Sequence, residues 1–331
     1  MARHAVVLMN LGGPDSPAAV RPFLYNLFSD PAIIGLPAPV RLPLAWLIAW
    51  RRSAVAAEIY AHLGGASPLL ANTQAQARAL EAALGSDYRC FIAMRYWHPL
   101  TAAAVAAVKD WAPDEVVLLP LYPQFSTTTT GSSLATWRHE AVRQGLDTPT
   151  RVVSNYPTEP GFVAALAGLI DLALDAAAAQ HTAVRLLLSA HGLPLKIVRR
   201  GDPYPQQVEA TSTAVVAALT HPVGDWRVCY QSRVGPLAWL GPSVDEEVRR
   251  AGHDRAAVVV APISFVSEHS ETLVELDRDY RNLAEASGVP SYWRAAAVGT
   301  DSRFIAGLAR LVRDNPQPAA ENPAVLSEPA R

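Results

Sequence analysis

One histidine is placed where a strand opens into a loop. His191 directly follows the apolar run 184–190 and precedes Gly192-Leu193-Pro194. Glycine lets the backbone turn sharply, and proline ends a strand, so a cleft facing this loop would receive the imidazole. A histidine at such a point either meets a ligand or caps the turn through a hydrogen bond, and position alone leaves both interpretations open.

A row of carboxylates begins after another apolar run. Glu268 and Glu271 come first, and Glu275 and Asp279 continue the row. Positions 271, 275 and 279 lie four apart, so they line one face of a helix, where like charges repel by roughly 0.2–0.5 kcal/mol per pair. Arg278 can offset this repulsion on a solvated, salt-bridged face. A carboxylate row beside a cleft can instead relay protons or a hard divalent cation.

His191 and Glu271 both follow strands of the C-terminal half and offer an imidazole and a carboxylate. This pair of ligand types suits Fe(II), Co(II) or Zn(II). Two or three protein ligands hold a metal loosely enough to pass it on, whereas a structural zinc site needs four. The sequence therefore favours a site that handles a metal in transit.

Two loops carry side chains that suit a flat, acidic ligand. Trp239 lies in a loop with two Gly-Pro steps, and an indole held there can pack on an aromatic ring. Arg95 lies in the corresponding loop of the N-terminal half and can pair with a carboxylate or bridge the two halves. The nucleotide-binding and serine-hydrolase motifs GxGxxG, GxxxxGK[ST] and GxSxG at a strand end are absent from the sequence.

The elements that position these residues alternate between short apolar runs and helix-like stretches. Continuous apolar runs fit strands of a parallel sheet that is covered on both faces, so the alternation predicts an α/β doubly wound fold. The predicted strands are 5–10, 88–95, 115–121, 151–154, 184–190, 226–231, 257–263 and 291–294. The predicted helices are 69–84, 99–111, 160–180, 204–220, 243–252 and 269–287.

The sequence also repeats itself weakly, which predicts two similar halves. We expect an N-terminal half at 1–154, a C-terminal half at 155–300, and a disordered tail at 316–331. In such folds ligands bind beyond the carboxyl ends of the strands, and the cleft between two halves is the usual pocket. We therefore expect the active site in that cleft.

Composition excludes several classes of function. The 331 residues carry 28 Lys plus Arg against 30 Asp plus Glu, so non-specific nucleic-acid binding has no electrostatic basis. Two cysteines cannot build a four-thiolate cluster, and their scarcity fits a cytoplasmic protein. The apolar stretch 36–50 is shorter than the about 20 residues that span a bilayer. It is either a buried loop and helix or a membrane-touching lip with Trp46 and Trp50 at the interface.

Nine short motifs, in this order along nearly the whole chain, resemble the ferrochelatase family. They are Asn10-Leu11-Gly12-Gly13-Pro14, Gly64-Gly65-Ala66-Ser67-Pro68, Arg95-Tyr96, Thr130-Gly131-Ser132-Ser133, Ser189-Ala190-His191-Gly192-Leu193-Pro194, Arg200-Gly201-Asp202-Pro203-Tyr204-Pro205, Tyr230-Gln231-Ser232-Arg233, Trp239-Leu240-Gly241-Pro242 and Ser267-Glu268-His269-Ser270-Glu271-Thr272-Leu273. The resemblance implies two Rossmann-like halves without a nucleotide, with a C-terminal helix at about 301–314 packing on the first half. It also implies insertion of Fe(II) into protoporphyrin IX with release of two protons, the last step of haem biosynthesis.

The resemblance assigns roles to individual residues. His191 and Glu271 correspond to the catalytic and metal-handling pair, with His191 as the base for pyrrole protons and Glu271 as its partner across the metal. The acidic relay corresponds to Glu275, Asp279 and Glu268. The porphyrin-binding residues correspond to Leu11, Arg95, Tyr96 and Trp239. Unlike some members, the tail has no cysteines, so we expect no iron–sulfur cluster and no other prosthetic group, with Fe(II) as a substrate.

Three alternatives stay open on the sequence alone. The first two are a chelatase that acts on coproporphyrin and one that inserts cobalt. The third is a non-catalytic carrier of tetrapyrrole or metal, which would explain a flat pocket but not the acidic row.

Overall fold

Two parallel four-stranded sheets form the centre of the fold, in a computed structural model that describes residues 2–180, 183–233, 235 and 237–314. The strands are β1 (His4–Asn10), β2 (Tyr88–Met94), β3 (Glu115–Pro120), β4 (Thr150–Val152), β5 (Val184–His191), β6 (Trp226–Gln231), β7 (Ala257–Pro262) and β8 (Tyr292–Arg294). One sheet has the order β2-β1-β3-β4 and the other the equivalent order β6-β5-β7-β8. All pairings within the sheets are parallel. The predicted α/β fold with two similar halves is confirmed.

Helices flank both sheets. They are α1 (Val20–Phe28), α2 (Ala38–Ala61), α3 (Leu69–Leu84), α4 (Thr101–Trp111), α5 (Ser132–Gln144), α6 (Pro160–Ala178), α7 (Leu195–Val198), α8 (Tyr204–Ala218), α9 (Val244–His253), α10 (Tyr280–Ala286) and α11 (Ser302–Asp314). A π-helix at Thr127–Gly131 precedes α5, and a longer one at Glu271–Asp279 precedes α10. The predicted helices did not include α1, α5 and α7, and the region of α2 was predicted only in part, as one of two interpretations of 36–50.

The central strands are buried along their length because helices cover both faces of the sheets. Every residue of β7 is buried, as are most residues of β1, β3 and β5. This burial explains why their sequences are continuous apolar runs and do not alternate. All eight predicted strands are present, with ends that differ by at most two residues.

The chain divides into two compact units, one around each sheet. Among the described residues, the first unit comprises 2–155 and 308–314, and the second comprises those of Tyr156–Gly307. The first turns of α11 belong to the second unit, where Phe304 packs against Phe162 and Tyr156. The predicted disorder of 316–331 concerns residues outside those described.

One helix in the described part of the chain, α6, is long and apolar enough by length and composition to cross a membrane. Half of its apolar window is buried inside the structure, and the core helix of a water-exposed domain passes the same test. The fold itself thus accounts for the apolar sequence of α6.

The acidic element differs from the single helix predicted at 269–287. Its first part, Glu271–Asp279, is a π-helix, and α10 follows directly. Leu276 and Tyr280 anchor this element in the apolar core of the second unit. A π-helix has a wider turn than an α-helix and is frequently found at functional sites. Spacing by four residues therefore does not keep the carboxylates in one straight row.

A close backbone contact between α9 and the end of α10 gives a test of the second unit. A Cβ atom added at Gly252 would lie 2.0 Å from the carbonyl oxygen of Ser287. Because this contact cannot open without shifting a helix, Gly252→Ala should lower the free energy of unfolding by about 1–3 kcal/mol, measured by urea denaturation. Gly224→Ala is the matched control, since its added Cβ would meet no atom within 4 Å. Equal stability of the two variants would contradict this packing.

Candidate active site

The two residues singled out by the sequence lie in direct contact. His191 is the last residue of β5, and its Nδ1 lies 2.7 Å from Oε2 of Glu271, the first residue of the π-helix. The imidazole keeps 43% of its side-chain surface exposed and the carboxylate 24%. Since Nδ1 is engaged by Glu271, Nε2 is the ring nitrogen that can meet a substrate. We had expected a metal between these groups, and here they form a hydrogen-bonded pair.

Adjacent strands explain how residues 80 positions apart meet. β5 and β7 are neighbours in the second sheet, and Ile263 N–H, just after β7, donates to Ser189 O at 2.9 Å. The chain then turns, and the ring of Phe265 lies edge-on to both His191 (6.3 Å) and His269 (4.6 Å). Thus the loop after β7 delivers the π-helix to the carboxyl end of β5.

A second strand end contributes two residues to which the sequence analysis gave no role. Ser232 directly follows β6, and its hydroxyl lies 2.9 Å from Oε2 of Glu271 and 2.5 Å from Oε2 of Glu275. Its backbone N–H donates to Oε1 of Glu275 at 2.8 Å. The hydroxyl carries one hydrogen, so it donates to one carboxylate at a time. Ser232 therefore links the two carboxylates.

Gln231 supports the same pair from the last position of β6. Its side-chain amide donates to Oε2 of Glu275 at 3.0 Å and to the carbonyl of Glu271 at 3.1 Å. Its amide oxygen accepts a hydrogen bond from Ser189 at 2.8 Å. In the sequence, the signal for Gln231 and Ser232 is that two polar residues stand together at the end of an apolar run, which is the strand β6 next to β5.

The His191–Glu271 contact shifts both pKa values toward the charged forms. Partial burial lowers the pKa of His191, but the charge and hydrogen bond of Glu271 outweigh it, so this pKa lies above its ordinary value. Burial raises the pKa of Glu271, but His191 and Ser232 outweigh it, so this pKa lies well below its usual range. The contact therefore favours an imidazolium–carboxylate pair over the two neutral groups.

The neighbouring titratable groups shift in the opposite direction, toward their neutral forms. Burial, and next the negative charge of Glu271, raise the pKa of Glu275 above its ordinary value. Burial lowers the pKa of His269, whose Nδ1 lies 3.0 Å from the carbonyl of Ser267. Glu275 is thus the carboxylate of the site that takes up a proton more readily.

The other two members of the predicted relay lie in different surroundings. The carboxylate of Glu268 accepts hydrogen bonds from Arg294 at 2.9 Å and from the backbone N–H of Ala297 at 2.9 Å, so it fastens the segment after β8. Asp279 ends the π-helix with about half of its side chain exposed, and Arg278 donates to it at 3.0 Å. The structure brings Glu275, but not Glu268, to the His191 pair.

Trp239 lies next to Gly192, the residue that follows His191. The backbone N–H of Leu240 donates to Leu193 O at 3.0 Å and thereby fastens this loop to the segment after β5. A Cβ added at Gly192 would lie 3.3 Å from Cε3 of Trp239 and 2.8 Å from the carbonyl oxygen of Gln231. Only glycine allows this close approach of indole and backbone.

Arg95 and Tyr96, two of the predicted porphyrin residues of the first unit, bind a carboxylate that was not predicted from the sequence. Asp30 is buried, and its Oδ2 accepts hydrogen bonds from Arg95 (2.7 Å), Tyr96 (2.7 Å) and Ser132 (2.5 Å). The phenol of Tyr96 is fully buried, so it anchors this network and does not face solvent. Leu11 directly follows β1 and is partly exposed.

The described residues contain no cluster of three or more His, Cys, Asp or Glu side chains arranged to hold a metal ion. The His191–Glu271 pair supplies two candidate ligands. Two ligands fit a metal that arrives as a substrate better than one that is permanently held. The predicted location of the site, in a cleft between the two halves, stays a prediction.

Comparisons of the amino-acid sequence with known proteins agree on one family, and a comparison of the structure shows a shared fold. The sequence model of the ferrochelatase family matches residues 3–316. A ferrochelatase of Caulobacter vibrioides is 58% identical over 94% of this chain and 90% of its own length. One of Wolbachia from Drosophila simulans is 47% identical over 93% of this chain and 98% of its own. The solved structure of the sirohydrochlorin chelatase SirB from Bacillus subtilis, in complex with cobalt, covers 95% of this chain and 97% of its own, with a TM-score of 0.55 at 13% identity.

The charge pair predicts how the imidazole titrates in the metal-free protein. In Glu271→Gln the main influence that raises the pKa of His191 is lost, while burial still lowers it and the charge of Glu275 still raises it, so this pKa should fall. NMR of protein with ¹⁵N-labelled histidine measures this, with His191→Ala to assign the signal. The pKa of His269 should stay below its ordinary value in both proteins. An unchanged His191 titration would contradict the pair.

Proposed function

Because the chain belongs to the ferrochelatase family, it is a metal chelatase that inserts iron into protoporphyrin in haem biosynthesis, and we propose that the His191–Glu271 pair performs this insertion. The observation that carries the assignment is the 2.7 Å contact between an imidazole and a carboxylate at adjacent strand ends. The names of the relatives do not favour a coproporphyrin chelatase, a cobalt chelatase or a carrier.

The reaction has three barriers that such a site must lower. Ferrous iron must shed water, two pyrrole N–H protons must leave, and the flat macrocycle must bend so that its nitrogen lone pairs point at the metal. Binding energy spent on a bent macrocycle lowers the third barrier. The other two need a carboxylate for the cation and a base for the protons.

Glu271 is suited to receive the iron, and its charge state links iron arrival to proton chemistry. Before iron binds, its negative charge raises the pKa of His191 and so favours the imidazolium, which cannot accept a pyrrole proton. A ferrous ion bound to Glu271 competes with the imidazolium for that charge, so the pKa of His191 falls. The imidazolium then loses its proton to water, and neutral Nε2 becomes the base.

Glu275 offers a route by which protons leave. When Nε2 takes one pyrrole proton after the iron has moved to the ring, Nδ1 can give its own proton to Glu271. Exchange of the remaining ring proton from Nε2 to Nδ1 through water then readies Nε2 for the second pyrrole proton. The Ser232 hydroxyl lies between the two carboxylates, so it can accept this proton while donating its own to Glu275. The raised pKa of Glu275 suits it as the acceptor, and exposed Asp279 continues the route to solvent.

We propose that Trp239 is the wall on which the macrocycle packs, because it lies against Gly192 beside His191. Leu11 and Arg95 keep exposed surface for the substrate, whereas buried Tyr96 acts through Asp30. The reaction as proposed needs no prosthetic group, with Fe(II) entering as a substrate.

We further propose a peripheral membrane contact through 36–50. Most of this segment lies in α2, which exposes the large apolar side chains Val40, Trp46, Leu47 and Trp50. Indole rings favour the boundary between water and lipid, and a surface helix with an apolar face lies in that boundary. The free cysteines Cys90 and Cys229 are consistent with the reducing cytoplasm, so the cytoplasmic face of a membrane is the proposed location.

His191→Ala and Glu271→Gln should each lower kcat for iron insertion by at least about a hundredfold, because one removes the base and the other the iron-binding charge. Both variants should still fold and bind protoporphyrin, since neither side chain forms the wall that contacts the ring. Discontinuous assays with Fe(II) and protoporphyrin IX measure turnover, and porphyrin fluorescence measures the binding of protoporphyrin to the protein.

Glu268→Gln is the matched control for loss of a carboxylate in the same segment. It should retain turnover because Glu268 binds Arg294 and not the His191 pair. Near-normal turnover in His191→Ala or Glu271→Gln would refute the assignment. Stoichiometric metal transfer without repeated turnover in the unchanged protein would favour the carrier.

The membrane proposal predicts that Trp46→Ser with Trp50→Ser reduces binding to lipid vesicles by about fivefold or more, because two interfacial indoles are lost. Sedimentation with phospholipid vesicles measures the bound fraction. The control replaces two other exposed apolar residues, Val142 and Leu172, with serine. Equal binding by both double variants would show that α2 is not the contact.

A further inference from the structure

The motif Arg200-Gly201-Asp202-Pro203-Tyr204-Pro205 places one phenol beside the His191 site. Tyr204 is the first residue of α8, and its backbone N–H donates to Oδ1 of Asp202 at 3.0 Å. Asp202 and Tyr204 are both buried. Proline at the start of a helix fixes the backbone without losing a helical hydrogen bond. The ring of Tyr204 is therefore held in one place.

The Tyr204 hydroxyl joins the two segments that carry His191. It donates to the hydroxyl of Ser264 at 3.0 Å, in the loop after β7. The same hydroxyl lies close to the backbone of His191 at the end of β5. Ser264 precedes Phe265, whose ring stands edge-on to the His191 imidazole at an interplanar angle of 86°. The hydroxyl is thus bonded to the residue that precedes this ring and lies beside the backbone of His191.

The phenol is not suited to acid–base chemistry of its own. Burial is the main cause that raises the pKa of Tyr204 far above its ordinary value, and the negative charge of Glu271 adds to it. It therefore stays protonated whenever the enzyme works, and its hydrogen bonds are made to protein atoms. What it controls is geometry.

We propose that Tyr204 is a positioning residue for His191, and that its hydroxyl sets the orientation in which Nε2 meets a pyrrole N–H. This inference rests on the proposed role of His191 as the base. If the imidazole is slightly misplaced, the enzyme binds porphyrin equally well, but the imidazole accepts the pyrrole proton less often. The hydroxyl should therefore act on kcat and not on KM for the porphyrin.

Tyr204→Phe tests the proposal because it keeps the ring and removes only the hydroxyl. We expect kcat to fall roughly tenfold, with KM for protoporphyrin changed by less than about twofold. The ¹⁵N signals of the His191 imidazole should shift in the metal-free protein. Ser264→Ala removes the same hydrogen bond from its other end, so it should lower kcat similarly. The double variant should then be little worse than either single one.

Tyr156→Phe is the matched control, since Tyr156 is a buried tyrosine of the same unit that packs against Phe162 and Phe304. It should leave kcat and the His191 signals unchanged. A normal kcat in both Tyr204→Phe and Ser264→Ala would overturn the proposal. The proposal would also be overturned if Tyr156→Phe lowered kcat too, and if the loss of kcat in each variant followed its loss of thermal stability. If Tyr204→Phe does not fold, Ser264→Ala decides, and full activity of His191→Ala would instead refute the proposed function.

Discussion

A carboxylate that is shielded from water stays ionised only while something nearby replaces the lost hydration. For Glu271 that replacement is the ring of His191 together with the hydroxyl of Ser232. The contact in turn raises the pKa of His191 and lowers that of Glu271, so neither group has its ordinary affinity for protons. The surrounding structure holds the two side chains in contact. This matters because a small separation would leave each charge poorly compensated.

Three strand ends and one unusual helix hold the pair together. His191 ends β5, Ser232 follows β6, and the loop after β7 leads into the π-helix that carries Glu271. Ser232 has a φ of 60°, a left-handed conformation that costs a non-glycine residue of order 1–3 kcal/mol. This conformation lets both its N–H and its hydroxyl reach Glu275. Local strain is thus offset by hydrogen bonds to a partly buried carboxylate.

The sequence predicted the sheets and the central pair, because both leave local signals. Buried parallel strands must be continuously apolar, and a polar residue directly after such a strand stands at the ligand-binding edge. The π-helix was missed because carboxylates four apart fit an α-helix equally well. Asp30 was missed, and the contacts of Glu268 were not foreseen, for another reason. Their partners, Arg95 and Arg294, lie 65 and 26 residues away, and no local pattern records such pairings.

In the proposed mechanism, the charge pair also sets the order of iron binding and deprotonation. While Glu271 is free of metal, its charge raises the pKa of His191, so the proposed base holds its own proton more strongly and accepts a pyrrole proton less readily. In this proposal, a divalent cation that binds Glu271 weakens that influence, and the imidazole becomes a better base where the metal has just arrived. A porphyrin bound alone is then deprotonated less readily than one that meets an iron ion in the site. The proposed pair thus favours deprotonation when an iron ion is ready to replace the two protons.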